Sequence, residues 1–351
     1  MLENIVFSGL GAAFPRFKIT NEQLSALPGF DPERVKRSTE YLAYLKVAPG
    51  TSPLNYFVGV KMGFECRYHV APFPPRPGQE QSETALDLAV RAAEAALKNA
   101  GLSAGDVGAW IVSSMLVPMS LPELSSHLKA RLAGAENMAP AQTIHSGCPG
   151  FNLGLEKASQ ILRTNGNVRH VVVVHTETLS RYLTSNADFA PLASFGDGAG
   201  CVVVSRRETR AGQGLLGIET WQDPKFLKIL TISEDANLHI DASAVRERAI
   251  FDMAFACGRI LDSLGMRAAD VDLFVPHQTG RTIIEPLAKQ LGIPRERLYM
   301  ETQRKYGNVC GATVPVSLWE IQGAGRLKPG MTILSAAAGI GGSFGAFCYH
   351  T

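Results

Sequence analysis

The composition of the chain is that of a globular protein. Its 351 residues are 46% hydrophobic and 19% charged, which suits two domains or one large layered unit. The 34 lysines and arginines nearly balance the 32 aspartates and glutamates, so the formal net charge is +2, and no long basic run occurs. Nucleic acid is therefore not expected as a partner.

The sequence also argues against a membrane or secreted location. No apolar stretch approaches the roughly 18 residues needed to cross a bilayer. The N-terminus, MLENIVFSGLGAAFP, lacks the basic start and long apolar core of a signal peptide and predicts a first strand instead. We therefore expect a cytoplasmic protein that does not bind membranes.

The six cysteines are scattered along the chain, without a CxxC pair or a Cys/His spacing typical of zinc sites. In a chain of this length, that pattern disfavours a disulfide framework and a structural metal. We expect no metal, and each cysteine is interpreted singly, most often as a small buried hydrophobic side chain.

Apolar β-rich runs alternate with longer runs of helical period along the chain. Further strands are predicted at 107–113, 168–175, 200–204 and 273–275, and helices at 83–100, 123–132 and 246–264. This alternation predicts an α/β fold in which helices cover both faces of the strands.

The regular alternation lapses in two segments. They are STEYLAYLKVAPGTSPLNYFVGVK at 38–61 and APFPPRPGQ at 71–79. The prolines of the second segment cannot sustain a helix or a central strand. We interpret both segments as excursions from the core that form a lid or a dimer surface.

Two segments of the chain align without gaps. LKNAGLSAGDVGAWIVSS at 97–114 matches LDSLGMRAADVDLFVPHQ at 261–278, with Gly101 on Gly265. Any two helix, glycine turn and strand units look partly alike, but the unbroken register favours an internal duplication. An approximate two-fold axis between two halves would bring equivalent loops together at the centre of the molecule.

Cys148 lies where an apolar run gives way to a run of helical period, in IHSGCPGFNLGLEKASQIL. Pro149 is typical of a helix start. The thiol would then lie at the positive end of a helix dipole, where a cysteine pKa falls below its usual ~8.5. Gly147 and Gly150 leave room for a substrate, although a structural cysteine in a tight turn remains the alternative.

Three later motifs are candidates for the same site. His277 follows a predicted strand in LFVPHQTGR, at the sheet edge where ligands of α/β proteins usually bind. Asn308 follows a glycine turn in KYGNVCGATVP. The glycines of SAAAGIGGSFGAF at 335–347 either pack closely or aim a backbone N–H at a reacting carbonyl, and they do not form a GxGxxG dinucleotide motif.

Taken together, these motifs resemble the thiolase superfamily, and within it the β-ketoacyl-ACP synthase III-like condensing enzymes. HSGCPGF resembles the nucleophile turn of that family, VPHQ its histidine motif, YGNVCGATVP its asparagine motif and GIGGSFG its closing loop at 339–345. SFGDGAGCVVV at 194–204 and GFECRYH at 63–69 are similar to two further family segments. The resemblance covers nearly the whole chain in order.

The resemblance implies a fold and an assembly. The fold is the duplicated five-layered αβαβα thiolase fold, an α/β fold of two halves related by a pseudo-two-fold axis. We expect the halves at 1–206 and 207–351, with excursions near 38–79 and 115–122. Members of the family are usually homodimers.

The resemblance also implies catalytic roles. An acyl group from acyl-CoA or an acyl carrier protein (ACP) would be transferred to Cys148, whose N–H would form an oxyanion hole with that of Gly342. His277 and Asn308 would then hold the enolate of a decarboxylated malonyl-type extender, whose carbon attacks the acyl-cysteine. A neutral histidine and an amide stabilise this charge without supplying a strong acid that would quench the carbanion. No cofactor is expected beyond these thioester substrates.

Further substrate contacts are implied by the resemblance. They are Leu121, Phe151, Gly341 and Ser343. Leu121, in MLVPMSLPELSSHL, occupies the position that reaches into the partner's acyl tunnel. Met115, Leu116 and Met119 beside it indicate an apolar, adaptable tunnel wall, although core packing explains these residues about as well.

Three departures from the family pattern disfavour a standard acetyl-CoA-primed enzyme. Gly280 stands where the family has asparagine after the histidine motif. The Asp-Glu-Trp-Ile stretch that stacks on coenzyme A is missing, and the segment 38–61 stands near its place. His145 and Ser146 precede the nucleophile turn, where small apolar residues are common. A medium-chain or specialised primer, in fatty acid or secondary metabolite biosynthesis, is therefore favoured.

Three alternatives to carbon–carbon bond formation with a malonyl-type extender stay open. The acyl group could pass to an alcohol or amine acceptor, or two acyl chains could condense head to head without decarboxylation. From another class, the chain could be a catalytically silent partner subunit of an active paralogue. The presence of Asn308 favours carbanion chemistry over simple acyl transfer.

Overall fold

The structure is a computed structural model that describes residues 2–74, 76, 79–115, 121–183, 189–232 and 238–351. The strands are β1 Leu2–Ala13, β2 Phe17–Thr20, β3 Cys66–His69, β4 Ala109–Ser114, β5 Ala141–His145, β6 His170–Glu177, β7 Gly198–Thr209, β8 Gly214–Gln222, β9 Leu230–Ile232, β10 Leu238–Ile240, β11 Leu273–Phe274, β12 Thr332–Gly339 and β13 Ser343–His350. The helices are α1 Pro32–Lys36, α2 Thr39–Leu45, α3 Ala85–Ala100, α4 Leu124–Ala133, α5 Gly150–Thr164, α6 Phe189–Ser194, α7 Ala242–Ser263, α8 Arg281–Leu291, α9 Glu301–Tyr306 and α10 Thr313–Gly323.

The first sheet has the strand order β1-β7-β6-β4-β5 among the described residues. Strands β6, β4 and β5 are parallel, whereas β7 runs antiparallel to both β1 and β6. Val171 to Val174 of β6 are fully buried, because helices cover both faces of the sheet. The run of four valines in the sequence is therefore a central strand, as predicted.

The second sheet has the order β11-β12-β13-β8 in the part of the chain that the structure describes. Strands β11 and β12 are parallel, and the remaining pairs are antiparallel. Two short antiparallel pairs, β2 with β3 and β9 with β10, lie outside the two main sheets.

The two sheets and their helices form five layers. Helices α3 and α4 cover the outer face of the first sheet, α5 and α10 lie between the sheets, and α7 and α8 cover the outer face of the second. The side chains of α5 that recur at helical spacing, Phe151, Leu155, Ala158 and Leu162, are fully buried in the middle layer. The predicted α/β class and αβαβα layering are confirmed.

The aligned segments of the sequence have the same local structure. Helix α3 is followed by Gly101 (φ 68°) and α7 by Gly265 (φ 64°), both in the left-handed region that favours glycine. One 3₁₀ turn follows in each case, at Ala104–Asp106 and Ala268–Asp270, and then a strand, β4 or β11. Duplication of the whole half, and its boundary at 206/207, stay predictions.

The segment 38–61 is more regular than the sequence indicates. It contains α2, capped by the Ser38 side chain, and it runs into a π-helix at Asn55–Met62. Leu54 and Val58 pack in a small cluster with residues of α6. Part of the segment is therefore packed against the rest of the protein.

The other expected excursions fall partly outside the described residues. Positions 75, 77 and 78 of the proline-rich segment lie outside the described residues. Leu116 and Met119, which were predicted to line a tunnel wall, also lie outside them. Within the ranges that the structure describes, no helix combines the length and the apolar character that crossing a membrane requires.

Candidate active site

A cavity of about 420 Å³ brings together residues that are far apart in the chain. Cys148, His277, Asn308 and Gly342 all line it. Each comes from a different motif of the sequence, and the layered fold places the four motifs around one space. Much of the remaining lining is apolar, with Phe57, Met62, Ile229, Ile240, Val245 and Ile283 among its side chains.

Cys148 lies immediately before α5, as the sequence predicts. The turn is closed by the N–H of Gly150, which donates to the carbonyl of Gly147 at 2.8 Å. A Cβ on Gly150 would lie 2.9 Å from Nδ1 of His175, so only glycine allows this close approach. The buried face of α5 anchors the helix, and the thiol is held at its N-terminal end.

A second thiol contacts the first. Cys310 is fully buried, and its S–H donates to the sulfur of Cys148 across 3.5 Å. This hydrogen bond lowers the pKa of Cys148 well below its ordinary value; burial opposes the effect, and His277 and His175 add to it. The same contact, together with burial, raises the pKa of Cys310. Cys148 is therefore the thiol of the pair that ionises more readily, and Cys310 is the hydrogen-bond donor.

His277 is held by backbone and side-chain contacts. Its N–H donates to the carbonyl of Ala336 on β12 at 2.8 Å, and its Nδ1 lies 2.6 Å from Oγ1 of Thr313. The N–H of Gln278 donates to the same hydroxyl at 3.2 Å. Nε2 is buried and has no hydrogen-bond partner among the described residues. Because Nδ1 is engaged, Nε2 is the ring atom that is free to act on a substrate.

Gly280, at the position where the resemblance implies an asparagine, contacts Gln303. It has φ 119°, and its N–H donates to Oε1 of Gln303 at 2.9 Å at the start of α8. Support for the His277 ring comes from Thr313 instead. The described contact to the side chain of His277 is therefore a hydroxyl, that of Thr313.

Asn308 is fixed by its backbone and by its side chain. Its N–H donates to the carbonyl of Ser194 at 2.7 Å, and its carbonyl accepts from Gly196 at 3.1 Å. Its Oδ1 accepts from the N–H of Cys310 at 3.0 Å. Since only the oxygen of the amide can accept this bond, the orientation of the side chain is set. The NH₂ group remains available as a donor.

The buried Arg67 supports the turn before Asn308. It donates to the carbonyl of Ala193 at 2.5 Å and to Oδ1 of Asn21 at 2.9 Å. Burial lowers its pKa to about 10. A Cβ on Gly307 would lie 2.8 Å from Cβ of Arg67. The GFECRYH segment therefore packs against the turn that carries Asn308.

The closing loop reaches the cavity through two of its glycines. A Cβ on Gly339 would lie 2.8 Å from Cβ of Cys148, and a Cβ on Gly342 would lie 2.0 Å from the carbonyl oxygen of Asp223. Gly342 also has φ 66°. Gly341 and Ser343, for which substrate contacts were predicted, are in the same loop but outside the described cavity lining.

Three other residues singled out from the sequence lie away from the described lining. Phe151 is fully buried and meets the ring of Phe347 edge to face at 6.4 Å, so it packs in the core where a substrate contact was predicted. Leu121 is 87% exposed in the single chain. His145 is exposed at the end of β5, so the structure places it away from the thiol's cavity.

Cys310 and Thr313 are the site residues that the sequence reasoning did not single out. Both stand in YGNVCGATVP, the motif that identifies Asn308. Their short distance from Asn308 in the sequence could have identified them, because a turn that presents the amide also brings the next few residues to the site. Nothing in the sequence indicated that a second thiol would face Cys148.

A buried polar cluster lies behind the two thiols. The donor atoms of His175, Glu177 and Cys310 lie within 4.8 Å of one another, a combination that has metal-ligand chemistry. Ser113 orients the ring of His175 through Nδ1 at 2.8 Å, Nε2 of that ring lies 3.2 Å from Oε1 of Glu177, and Glu177 also accepts from the N–H of Met115 at 2.5 Å. The cluster therefore functions as hydrogen-bonded support beneath the nucleophile turn.

Cationic side chains also line the cavity. Arg248 is paired with Asp252 at 2.6 Å and Asp223 at 3.0 Å, and it lies over the ring of Phe226. Lys61 and Arg246 are exposed and line the same cavity. The apolar lining thus continues into a positively charged rim.

A cavity lined by a cysteine, a histidine and an asparagine, in a five-layered αβαβα fold, agrees with the condensing enzymes of the thiolase superfamily. Residues 143–224 match the family described as 3-Oxoacyl-[acyl-carrier-protein (ACP)] synthase III, and residues 261–351 match its C-terminal domain. The chain belongs to the β-ketoacyl-[acyl-carrier-protein] synthase III family, and it is an acyl-transferring condensing enzyme.

Curated relatives support the same assignment. The β-ketoacyl-[acyl-carrier-protein] synthase III of Listeria innocua is 33% identical over 260 residues, which cover 74% of this chain and 81% of the relative. That of Sphingopyxis alaskensis is 29% identical over 353 residues, covering 99% and 98%.

Solved structures share the fold. The 3-oxoacyl-[acyl-carrier-protein] synthase III of Aquifex aeolicus superposes with a TM-score of 0.82 at 25% identity, covering 100% of both chains. Xanthomonas campestris OleA, solved with lauric acid and lauroyl-CoA, has a TM-score of 0.79 at 19% identity and covers 100% of both chains. At that identity OleA shows only the shared fold.

Proposed function

We propose that the enzyme forms a carbon–carbon bond by Claisen condensation through an acyl-Cys148 intermediate. The extender is a malonyl-type thioester, and the primer is a medium-chain or otherwise specialised acyl group. The observation that carries the proposal is the convergence of Cys148, His277 and Asn308 on one largely apolar cavity. The thioesters themselves are the only small molecules that the reaction requires.

The first half-reaction loads the enzyme. The Cys148 thiolate attacks the carbonyl carbon of the acyl thioester, and the N–H groups of Cys148 and Gly342 receive the developing oxyanion. The carbon–sulfur bond to the carrier then breaks, and the carrier leaves as a thiol after taking up a proton. Nε2 of His277 is placed to accept the proton of Cys148 and to return it to the departing thiol.

The second half-reaction uses the same space for the extender. Loss of carbon dioxide leaves an enolate, whose oxygen accepts from the NH₂ of Asn308 and from Nε2–H of His277. The enolate carbon attacks the acyl carbon, and the bond to Cys148 breaks, so that the thiolate is regenerated. The fixed amide orientation of Asn308 supplies a donor that cannot ionise.

The lining of the cavity supports a preference for hydrocarbon over small polar primers. Phe57, Met62 and Ile283 present apolar surface, and methionine adapts to variable chains. Lys61 and Arg246 at the rim suit the phosphates of a coenzyme A or a phosphopantetheine carrier. The carrier is therefore an anionic thioester, either acyl-CoA or acyl-ACP.

We further infer a homodimer from the exposed edge of the first sheet. Strand β5 ends the sheet, and its residues are half-buried or exposed, whereas every residue of the adjacent β4 is buried. Glu123 already accepts from the N–H of Thr143 on this edge, and the remaining edge groups of β5 could pair with another chain. Light scattering of the wild type tests the homodimer, and the mass of a single chain would contradict it. Leu121→Asp, with Leu42→Asp as the exposed-leucine control, tests separately whether Leu121 lies in the interface: only the first variant should lower the dimer fraction. Equal masses for both variants and the wild type would contradict a role for Leu121 in the interface.

A panel of acyl-CoAs from short to long chain tests the proposed chemistry. Intact-protein mass spectrometry should show one acyl adduct for the preferred chain lengths, located on Cys148 by peptide mapping. Addition of a malonyl thioester should remove the adduct and release a β-ketoacyl product. Cys148→Ala should form no adduct. Absence of an adduct with every chain length in the wild type would refute the proposal.

A further inference from the structure

The catalytic thiol has a second thiol within reach, and family chemistry does not need it. The sulfur atoms of Cys148 and Cys310 are 3.5 Å apart. We propose that Cys148 and Cys310 form a reversible disulfide when a peroxide enters the cavity, so that Cys310 protects the nucleophile from irreversible oxidation. The proposal concerns the two thiols themselves and goes beyond the condensation reaction.

The geometry allows the bond without a rearrangement of the fold. A disulfide requires the sulfur atoms to approach to about 2.05 Å, and they are 3.5 Å apart in the present contact. The two backbones are already close, because a Cβ on Gly311 would lie 2.9 Å from the carbonyl oxygen of Cys148. Glycine next to Cys310 thus permits the asparagine turn to pack directly against the nucleophile turn.

The Cys310 backbone is held in place for this contact. Cys310 has φ 53°, in the left-handed region, and it is the one described non-glycine residue with positive φ. Its N–H is bound by Oδ1 of Asn308 at 3.0 Å, and its carbonyl accepts from Thr313 at 3.0 Å. A strained conformation persists only where the surroundings determine it, and here the strain aims the second thiol at the first.

Access sets the order of the two steps. Cys148 lines the cavity, whereas Cys310 is fully buried and lies outside the described lining. A peroxide therefore meets Cys148 first. The oxygen–oxygen bond breaks as the thiolate attacks, and the products are a sulfenic acid on Cys148 and one hydroxide or alkoxide.

The second step closes the disulfide. The sulfur of Cys310 attacks the sulfur of the sulfenic acid, the sulfur–oxygen bond breaks, and the oxygen leaves as water with the Cys310 proton. Two thiols are thereby oxidised by two electrons and one peroxide is reduced. A dithiol reverses the change by thiol–disulfide exchange and is itself oxidised. Without a neighbouring thiol, the sulfenic acid remains open to further, irreversible oxidation to a sulfinic acid.

The other cysteines do not share this arrangement. The thiol of Cys66 donates to the carbonyl of Lys305 at 2.9 Å. Cys201, Cys257 and Cys348 are buried in the packed core, away from the described cavity lining. A disulfide formed through the cavity should therefore join Cys148 to Cys310, and peptide mapping can identify it.

Hydrogen peroxide, followed by intact-protein mass spectrometry, tests the proposal on the full chain. Oxidised wild type should lose about 2 Da relative to the reduced protein, and a dithiol should restore both mass and activity. Cys310→Ser keeps a small polar side chain but cannot form the bond, so it should gain about 32 Da at Cys148 and recover little activity. Each variant is compared with its own untreated sample. Cys257→Ser serves as the matched control and should behave as the wild type.

Peptide mapping of the wild type gives an answer that does not depend on the folding of any variant. A cross-linked pair of peptides carrying Cys148 and Cys310 supports the proposal. Irreversible oxygen addition to Cys148 in the wild type, or dithiol recovery of Cys310→Ser to the wild-type extent, overturns it. The mass readout needs no acyl substrate, so failure of the disulfide and failure of the condensation activity are separate outcomes.

Discussion

Oγ1 of Thr313 lies 2.6 Å from Nδ1 of His277, and the same hydroxyl contacts the carbonyl of Cys310 at 3.0 Å. A hydroxyl can donate to a ring nitrogen or accept from it. When Thr313 donates to Cys310, Nδ1–H of the ring donates to Thr313 and Nε2 is free to act as a base. When Thr313 donates to Nδ1, the neutral ring carries its proton on Nε2. Thr313 thus permits both states that the two half-reactions require of His277.

Replacement of Thr313 should impair catalysis through His277. In Thr313→Val we expect a loss of kcat/KM on the order of 10- to 100-fold, by analogy with the loss of a partner that orients a metal-bound histidine. The pH profile of acylation should change with it, which simple destabilisation would not cause. Thr313→Ser keeps the hydroxyl and should stay close to the wild type. Equal activities of the valine and serine variants would contradict the positioning role.

Asn308→Ala should separate the two half-reactions. The amide donates to the enolate only after acylation, so loading of Cys148 should remain largely intact, while condensation should fall by roughly 10²- to 10³-fold. The measurement compares the acyl-adduct mass with β-ketoacyl product formed from the same sample. Condensation at the wild-type rate would show that Asn308 does not hold the enolate.

The control for this variant must exclude a shift of the neighbouring thiol. Oδ1 of Asn308 accepts from the N–H of Cys310, so the alanine variant loses that contact. Asn308→Asp keeps the acceptor and replaces the NH₂ donor by a carboxylate oxygen. It should load Cys148 but fail to condense, as the alanine variant does.

The reactivity of Cys148 should persist to lower pH than that of an ordinary cysteine. The S–H of Cys310 donates to Cys148 and lowers its pKa, so at a given pH a larger fraction is thiolate. Alkylation by iodoacetamide, followed across pH, should therefore have its inflection below ~8.5. Cys310→Ala should move the inflection upward, and Cys310→Ser should move it less because a hydroxyl can still donate. An unchanged inflection in the alanine variant would exclude the proposed hydrogen bond.

The closing loop offers a matched pair of glycine substitutions. Gly341 (φ 73°) and Gly342 (φ 66°) are both left-handed, so alanine costs about 1–2 kcal/mol at each from backbone strain alone. At Gly342 the new Cβ would also lie 2.0 Å from the carbonyl oxygen of Asp223, whereas at Gly341 the nearest atom is at 3.7 Å. Gly342→Ala should therefore lower the Tm more and impair acylation. Equal effects on Tm would contradict the close packing of Gly342.

The sequence predicts the fold class because its evidence is local and repeated. Four consecutive valines in β6 predict a strand covered on both faces, and the helical spacing after Pro149 predicts α5. The order of four short motifs points to the family, which the comparisons confirm. The observed helix boundaries differ from the predicted ones by a few residues. Helix α7, for example, begins at Ala242, whereas Arg246 was predicted.

Two predictions, a substrate contact at Phe151 and an excursion at 38–61, show the limit of this evidence. Phe151 follows the nucleophile at a spacing that fits the cavity or the core, and only the direction in which α5 presents its face places it against Phe347. The segment 38–61 has few regular signals, yet its π-helix supplies Phe57, Lys61 and Met62 to the cavity. A local sequence pattern does not determine which part of the protein a helix face packs against.

The elements and motifs can be predicted from the sequence, because helix starts, buried strands and glycine turns depend on residues close together in the chain. Tertiary structure alone decided that Cys310 donates to Cys148 and that Thr313 holds His277. These contacts join residues 162 and 36 positions apart. They depend on how the nucleophile turn, the asparagine turn and β11 are packed against one another. Long-range packing of that kind sets the distances on which the reactivity of a thiol depends.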